Sequence, residues 1–477
     1  MTSTTTTTTS TSDLNTALQQ AAQSLISGST KSSLDVNSLV SALVTAKTTA
    51  QSTALANKQA SDNTELSAIG QIKSQLAALQ TALTGLTDGT TLSALTATAS
   101  GSGLTATTAS GAAAGTYTVK VNAVATANSI SSPALTSSDT IGSGTLTVGV
   151  GSGSMQVSVS STDTLATIAA NINKASNNPG VTATVINASD GQHLVLSSNN
   201  TGATNTVSIT AGAGLNSKLD STQSTYNTVT PAADANITIA GSTVTSATNQ
   251  ISNALTGVTL NLTAAAVNTT QTLTIAQDTT GITTAINNFA KAYSTFVTTA
   301  SSLSSYTTTS SGSTAGPLLG DAMLNSITNG LATALSGGVT TGGKTYSLSS
   351  IGINLNTDGT LTVDSTKLQT ALTTNASAVS AIFNSTNGVG VALNNFANSY
   401  SQTGGLIDQR TASLNKDLSN LQDQATQLKN YQTALTAQYN AQFTALNTLM
   451  TQMQNNQQYL TQLFGGSSSA GTLATNK

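Results

Sequence analysis

The chain has 477 residues, a formal net charge of -3 and only 6% charged residues, with a single histidine and neither cysteine nor tryptophan. That length suffices for roughly three domains. The scarcity of cations excludes a phosphate-tracking nucleic-acid surface and polybasic steering to membranes, while the absence of cysteine excludes disulfide frameworks, thiolate zinc sites and cysteine nucleophiles.

Residues 1–33 are Thr-rich and of low complexity, and their composition predicts disorder until a partner orders them. The first residues, MTSTTTTTTSTSDLNTALQQ, offer neither the positive nor the apolar region of a Sec signal peptide. No apolar run in the chain reaches the ~18 residues of a membrane span. Order is expected from Leu34, where SLDVNSLVSALV gathers Leu34, Val36, Leu39, Val40 and Leu43 into an apolar helical segment with Asp35 or Ser33 available as N-cap. Farther on, Ile69, Ile72, Leu76, Leu79, Leu83 and Leu86 alternate spacings of three and four, the rhythm of a packed helix, until Asp88-Gly89 closes it.

From 90 to 280 the helical rhythm gives way to alternation punctuated by glycine, which predicts β-rich domains. Tyr117, Val119 and Val121 share one strand face; Leu146, Val148 and Val150 run into a Gly151–Ser154 turn from which Met155, Val157 and Val159 return. A short helix carries Leu165, Ile168 and Ile172, and strands near Val181–Val185 and Leu194–Leu196 join through Asp190-Gly191. A second β-rich stretch spans Ile237 to Ile275. Helix is predicted again after Gly281, with Ile282, Ile286, Phe289, Tyr293 and Phe296 on one stripe, followed by helices holding Leu324, Ile327, Leu331 and Leu335, then Leu368 and Leu372.

The C-terminal stretch has the most sustained period, with Leu414, Leu418, Leu421, Ala425, Leu428, Gln432, Leu435, Tyr439, Gln442, Leu446, Leu449 and Met453 in one heptad register. Glutamines at seam positions weaken a coiled coil but help set its register. Charges are so few that shape and seam packing, not flanking ion pairs, are expected to choose the partner. The stripes Ile69–Leu86 and Leu414, Leu418, Leu421, Leu428 and Leu435 are expected to form intrachain core. The terminal residues Leu446, Leu449, Met450, Met453, Tyr459, Leu460, Leu463 and Phe464 make a broad apolar face with no obvious intrachain cover, and are expected, with the segment from Leu34 to Leu43, to bind partners.

One string imitates a catalytic motif. Gly338-Val-Thr-Thr-Gly342-Gly343-Lys344-Thr345 matches a phosphate-binding loop. That loop requires a preceding strand and a following helix, whereas here a helix precedes and an extended segment follows, so a plain turn is expected. Asp364 is placed to cap the helix containing Leu368. His193 stands alone beside a hairpin turn, without further ligands for a metal. The chain reads as an assembly protein without enzymatic activity, cofactor or metal.

Six segments, in order, resemble the bacterial flagellar filament-capping (hook-associated protein 2) family: SLDVNSLVSALV (33–44), Gly115–Val121, DTLATIAANINKA ending at Ala175, GVTLNLTAA (257–265), Ser350–Asp364 and Tyr439–Met450. The resemblance implies an α+β multidomain fold, a terminal helical coiled-coil and bundle with two β-rich head domains inserted between the helical ends. The terminal helices 34–50 and 440–477 would form a leg, 51–90 and 281–439 the bundle, 91–122 with 232–280 one head domain and 123–231 the other. It also implies a homo-oligomer at the extracellular tip of the flagellum that retains flagellin and promotes its folding and insertion. Export through the flagellar type III apparatus, and a cytoplasmic export chaperone docking on about residues 440–477, come with it. A cell-surface adhesin binding host glycans through the β-rich domains is the alternative reading.

Overall fold

The computed structural model describes residues 36–309 and 312–464, so the expectations for residues 1–33 and for Leu34, and the end of the 440–477 segment, lie outside the described residues. The described α-helices are, in chain order, α1 (Val36–Thr87), α2 (Leu165–Lys174), α3 (Thr279–Ser304), α4 (Ala322–Ser336), α5 (Ser365–Thr374), α6 (Ala376–Asn384), α7 (Val389–Ser401) and α8 (Leu406–Phe464). The chain divides into two compact units, one of residues Gly89–Thr284 and one that combines the chain up to Asp88 with the chain from Ala285 onward. The fold is α+β, with helices at both ends and a β-rich centre, as the sequence predicts.

Period-two patterning builds the unit Gly89–Thr284. An antiparallel sheet orders its strands 95–99, 270–277, 115–123, 235–239 and 242–246, and a three-stranded sheet comprises 250–255, 258–262 and 104–108. In the strand Thr270–Gln277, Gln271, Leu273 and Ile275 point inward while the threonines between them face out. Leu273 and Ile275 join Val119, Val121, Ile237 and Leu260 in one core.

A separate core within the same unit is enclosed by sheets of strands 227–230, 127–131, 191–201 and 181–188, and of strands 153–159, 144–150 and 207–211. Met155, Val157, Leu146, Val148, Leu194 and Leu196 meet there the buried side of α2, formed by Leu165, Ile168 and Ile172. The Thr164 side chain caps α2 by accepting from the Thr167 amide. The hairpin between Val150 and Gly153 turns in two residues, Gly151 adopting the positive φ (56°) such a tight connection demands.

The helical unit is built from stripes of period 3.6. On α3 the residues Ile286, Phe289, Tyr293 and Phe296 are all buried, and Phe289 meets Phe383 of α6 edge to face at a centroid distance of 5.6 Å. Asp321 caps α4 by accepting from the Leu324 amide, and Asp364 caps α5 by accepting from the Thr366 and Lys367 amides. α1 runs unbroken through position 50, where the sequence analysis puts a change of domain, because neither glycine nor proline interrupts it there. It ends at Thr87, beyond which Gly89 takes a left-handed φ of 80°.

α4 and α7 approach so closely that a Cβ on Gly330 would lie 1.9 Å from the Phe396 ring. Gly330→Ala is therefore expected to destabilise the helical unit by about 1–3 kcal/mol through overpacking. Gly70→Ala, in open space on α1, should instead stabilise by up to about 1 kcal/mol. Denaturant unfolding followed by far-UV circular dichroism would measure both, and equal effects would contradict the packing argument.

Candidate functional site

The two ends of the chain meet along an antiparallel pair of long helices, α1 and α8. At the outer limit of the pair Val40 and Val44 of α1 are buried with Leu435 of α8, flanked by Val36, Tyr439 and Phe443. One turn inward the seam becomes polar. Gln432 donates from Nε2 to Thr48 Oγ1 at 2.8 Å, and Thr48 Oγ1 donates to the Val44 carbonyl at 2.8 Å. The Thr48 hydroxyl both accepts and donates, so its burial costs little, and the Gln432 amide reads the register of the opposite helix.

Asp62 is the anomaly of the seam. It is completely buried on α1, with Oδ1 accepting from Lys58 Nζ at 2.6 Å and Oδ2 without a hydrogen-bond partner. The bond to Asp62 raises the Lys58 pKa above its ordinary value. Toward the interior come two ion pairs between the helices. Lys73 binds Asp408, and Arg410 donates from both Nε and Nη2 to Glu65 Oε1, the Nε contact being 3.0 Å. The Lys73 bond holds the Asp408 carboxyl below its usual range, and the Glu65 bond raises Arg410.

Arg410 and Glu65 are the chain's single arginine and single glutamate, and they pair across 345 positions of sequence. The sequence leads one to expect shape and seam packing, rather than flanking ion pairs, to choose the partner of α8; within the chain, two ion pairs nevertheless join it to α1. Few charges do not mean idle charges, because here they lie at facing positions. Composition carries the rarity of both residues, but only the fold carries their proximity, so sequence reasoning missed Glu65, Arg410, Thr48 and Asp62.

Innermost, Ile69, Ile72, Leu76, Leu79, Leu83 and Leu86 are all buried without residual exposure. They face α7 and the start of α8, and at the edge of that contact Ser401 donates to Gln80 Oε1 at 2.7 Å. Of the residues named on the facing stripe, Leu414, Leu428 and Leu435 are buried while Leu418 and Leu421 are half-buried. On the N-terminal side, Val40 is buried and Val36, Leu39 and Leu43 are half-buried.

Past Phe443 the environment of α8 changes while its sequence period does not. Leu446, Leu449, Met450, Met453, Tyr459, Leu460 and Leu463 are all exposed, from 39% at Met450 to 63% at Met453. Phe464 ends the helix. The structure therefore places the C-terminal residues together on one uncovered length of helix and the N-terminal ones beside the start of that length. The apolar period of α8 therefore continues past Phe443 on exposed side chains, among them Met450, Met453 and Tyr459.

The other motifs resolve into local structure. The phosphate-loop look-alike is a hairpin, strand Gly338–Thr341 returning as Lys344–Ser347 through Gly342-Gly343 at φ of 57° and 75°. Its glycines serve the turn, and Lys344 and Thr345 belong to the returning strand. No group of three or more potential metal ligands occurs among the described residues, and no described helix is long and apolar enough to cross a membrane.

Comparison with known proteins gives a consistent result. Family models for the flagellar hook-associated protein 2 N-terminus and C-terminus match residues 32–128 and 232–455, and a flagellin hook IN motif matches 145–200. The B-type flagellar hook-associated protein 2 of Pseudomonas aeruginosa is 31% identical over 404 residues, covering 80% of this chain and 85% of the relative. The flagellar hook-associated protein 2 of Escherichia coli K12 is 34% identical, covering 77% and 82% respectively. A crystal structure of the flagellar cap protein FliD D1-D2-D3 domains from E. coli aligns with a TM-score of 0.56 at 32% identity, covering 73% of this chain and all but 1% of the other (99%).

The Lys58–Asp62 pair predicts opposite outcomes for its two members. Removing the solvated cation in Lys58→Ala leaves the buried Asp62 side chain without its Lys58 donor and should destabilise the protein. Asp62→Leu removes the buried charge itself, leaves Lys58 in water, and should be neutral or stabilising by up to about 4 kcal/mol. Thermal unfolding of the two variants side by side checks the asymmetry; two equal losses would count against it.

Proposed function

The chain belongs to the flagellar hook-associated protein 2 family, and from that premise we propose that it caps the flagellar filament as an oligomeric tip scaffold, retaining exported flagellin and promoting its folding and insertion. The observation that carries this reading is the exposed apolar length of α8 from Leu446 to Leu463, continuous with a seam that is buried elsewhere. Such a helix can cover an incoming subunit's apolar surface while it folds, with no covalent chemistry. Capping is then binding and confinement: apolar helix faces hold the partner, and the tip excludes its loss to the medium.

The inner stripe Ile69–Leu86 with Leu414–Leu435 would hold the protein together, and the segment before Val44 with that after Tyr439 would engage flagellin, neighbouring copies or filament. The same C-terminal surface is suited to the export chaperone before secretion, since shielding an apolar helix in the cytoplasm prevents aggregation. Extracellular delivery through the flagellar type III route completes the proposal. The comparisons lend no support to the adhesin alternative.

Deletion of the protein should leave cells with short or absent filaments and flagellin monomers in the medium. Full-length filaments in the deletion strain would sink the proposal. Leu449→Asp with Met453→Asp should fold with unchanged circular dichroism, because both side chains are exposed, yet fail to restore filament growth. Complementation by that variant would remove the helix face from the mechanism while leaving the family assignment intact.

A further inference from the structure

We propose that His193, the only histidine of the chain, is a pH-sensitive latch that fastens the segment Ser132–Asp139 across the β-rich unit. The imidazole stands on the strand Gly191–Thr201 with Nδ1 2.8 Å from the Ser132 carbonyl oxygen and Nε2 3.1 Å from Asp190 Oδ1. A backbone carbonyl and a carboxylate are acceptors only. A neutral imidazole has one N–H and satisfies one of them, whereas the imidazolium has two and satisfies both. The geometry therefore selects the cation, and the bonds to Ser132 and then Asp190 raise the pKa of His193 above its ordinary value against the opposing effect of burial.

The segment is also tied to the histidine's own strand at Ser132, whose amide donates to the Leu194 carbonyl and whose Oγ accepts from the Leu194 amide, both at 2.9 Å. Leu135 exchanges two backbone hydrogen bonds with Gln192, the neighbour of the histidine, at 2.8 and 2.9 Å. Lys218 donates to the Ala134 carbonyl at 3.0 Å and to Asp139 Oδ2 at 2.8 Å. Beneath, Leu135 is 5% exposed and packs into the core containing Leu146 and Leu194. His193 and Lys218 thus clamp this segment over an apolar core, and His193 is the one that titrates near neutrality.

The charged groups on the elements around the ring are few. Asp190 lies in its own turn; Asp139, paired with Lys218, lies farther along the strapped segment; and the strand Val181–Ala188 hydrogen-bonded beside it carries no charge. Asp139 is held down to about 2, first by Lys218, so it stays ionised throughout the relevant range. Because the folded-state pKa of His193 is raised, the latch contributes its full stability below the unfolded-state value of about 6.5 and loses it as pH rises through the folded-state value. Closure at acidic and opening at alkaline pH follow.

Native-state hydrogen exchange of the full chain tests this at the Leu135 and Gln192 amides, corrected for intrinsic rates, between about pH 5.5 and 8.5, a span that brackets the ordinary histidine range. In the wild type the opening equilibrium should grow by up to about tenfold per pH unit within the titration window, the slope of one proton. His193→Gln, which retains a donor for Ser132, should show a flat profile, and Asp190→Asn, on an exposed turn, should shift the window to lower pH. Nitrogen NMR of the ring should report both nitrogens protonated at pH values where the unfolded chain is already neutral. A flat wild-type profile, the same slope in His193→Gln, or a ring that titrates as in the unfolded chain would each overturn the latch.

Discussion

Everything in the helical unit depends on one constraint: the two ends of the chain must be brought side by side in antiparallel register. The six aliphatic residues from Ile69 to Leu86 are completely buried. At about 1.5–3 kcal/mol for each large aliphatic side chain removed from water, this stripe outweighs every polar contact along the pair. The Glu65–Arg410 and Lys73–Asp408 pairs are partly exposed, where solvent screening leaves little net gain. They do not hold the helices together so much as penalise the wrong alignment, as does the Thr48–Gln432 layer.

The same helix pair also sets where the molecule is incomplete. α8 is 59 residues long and α1 is 52, yet the described part of α1 runs out at Val36, beside Tyr439 and Phe443. Beyond that point the apolar period of α8 continues without described cover. One heptad pattern thus runs through two environments: where it is covered within the chain it is core, and beyond Phe443 its apolar residues are exposed. A family whose members cap a polymer has use for both in one continuous helix.

The β-rich unit solves a different problem, that of making a stable body from a composition almost free of charge. Threonine and serine occupy outward strand positions, where branched side chains favour the extended backbone and hydroxyls meet water. Apart from Lys120 on a strand and Lys174 at the end of α2, ionic groups lie in turns and straps, such as Asp220, whose buried carboxylate is saturated by the Thr222 and Ala211 amides, the Thr222 hydroxyl and the Gln223 amide. Scarcity makes each remaining charge specific, which is why a lone histidine can matter.

The sequence by itself determined whatever is written in local period. The α3 stripe from Ile282 to Phe296, the hairpin around Gly151, helix α2 and the cap at Asp364 all follow from neighbours within a few residues, because side-chain direction repeats every 3.6 positions in a helix and every two in a strand. The family resemblance was legible for a related reason, its marker segments being local strings. Tertiary structure decided what depends on distant partners: which stretch of the C-terminal heptads is covered, that Asp62 lies in a seam, and that Glu65 meets Arg410 across 345 positions. Leu435 and Leu449 occupy equivalent positions of one heptad register, yet one is 6% and the other 52% exposed. A periodic sequence specifies a sticky face, and only the path of the rest of the chain specifies what covers it.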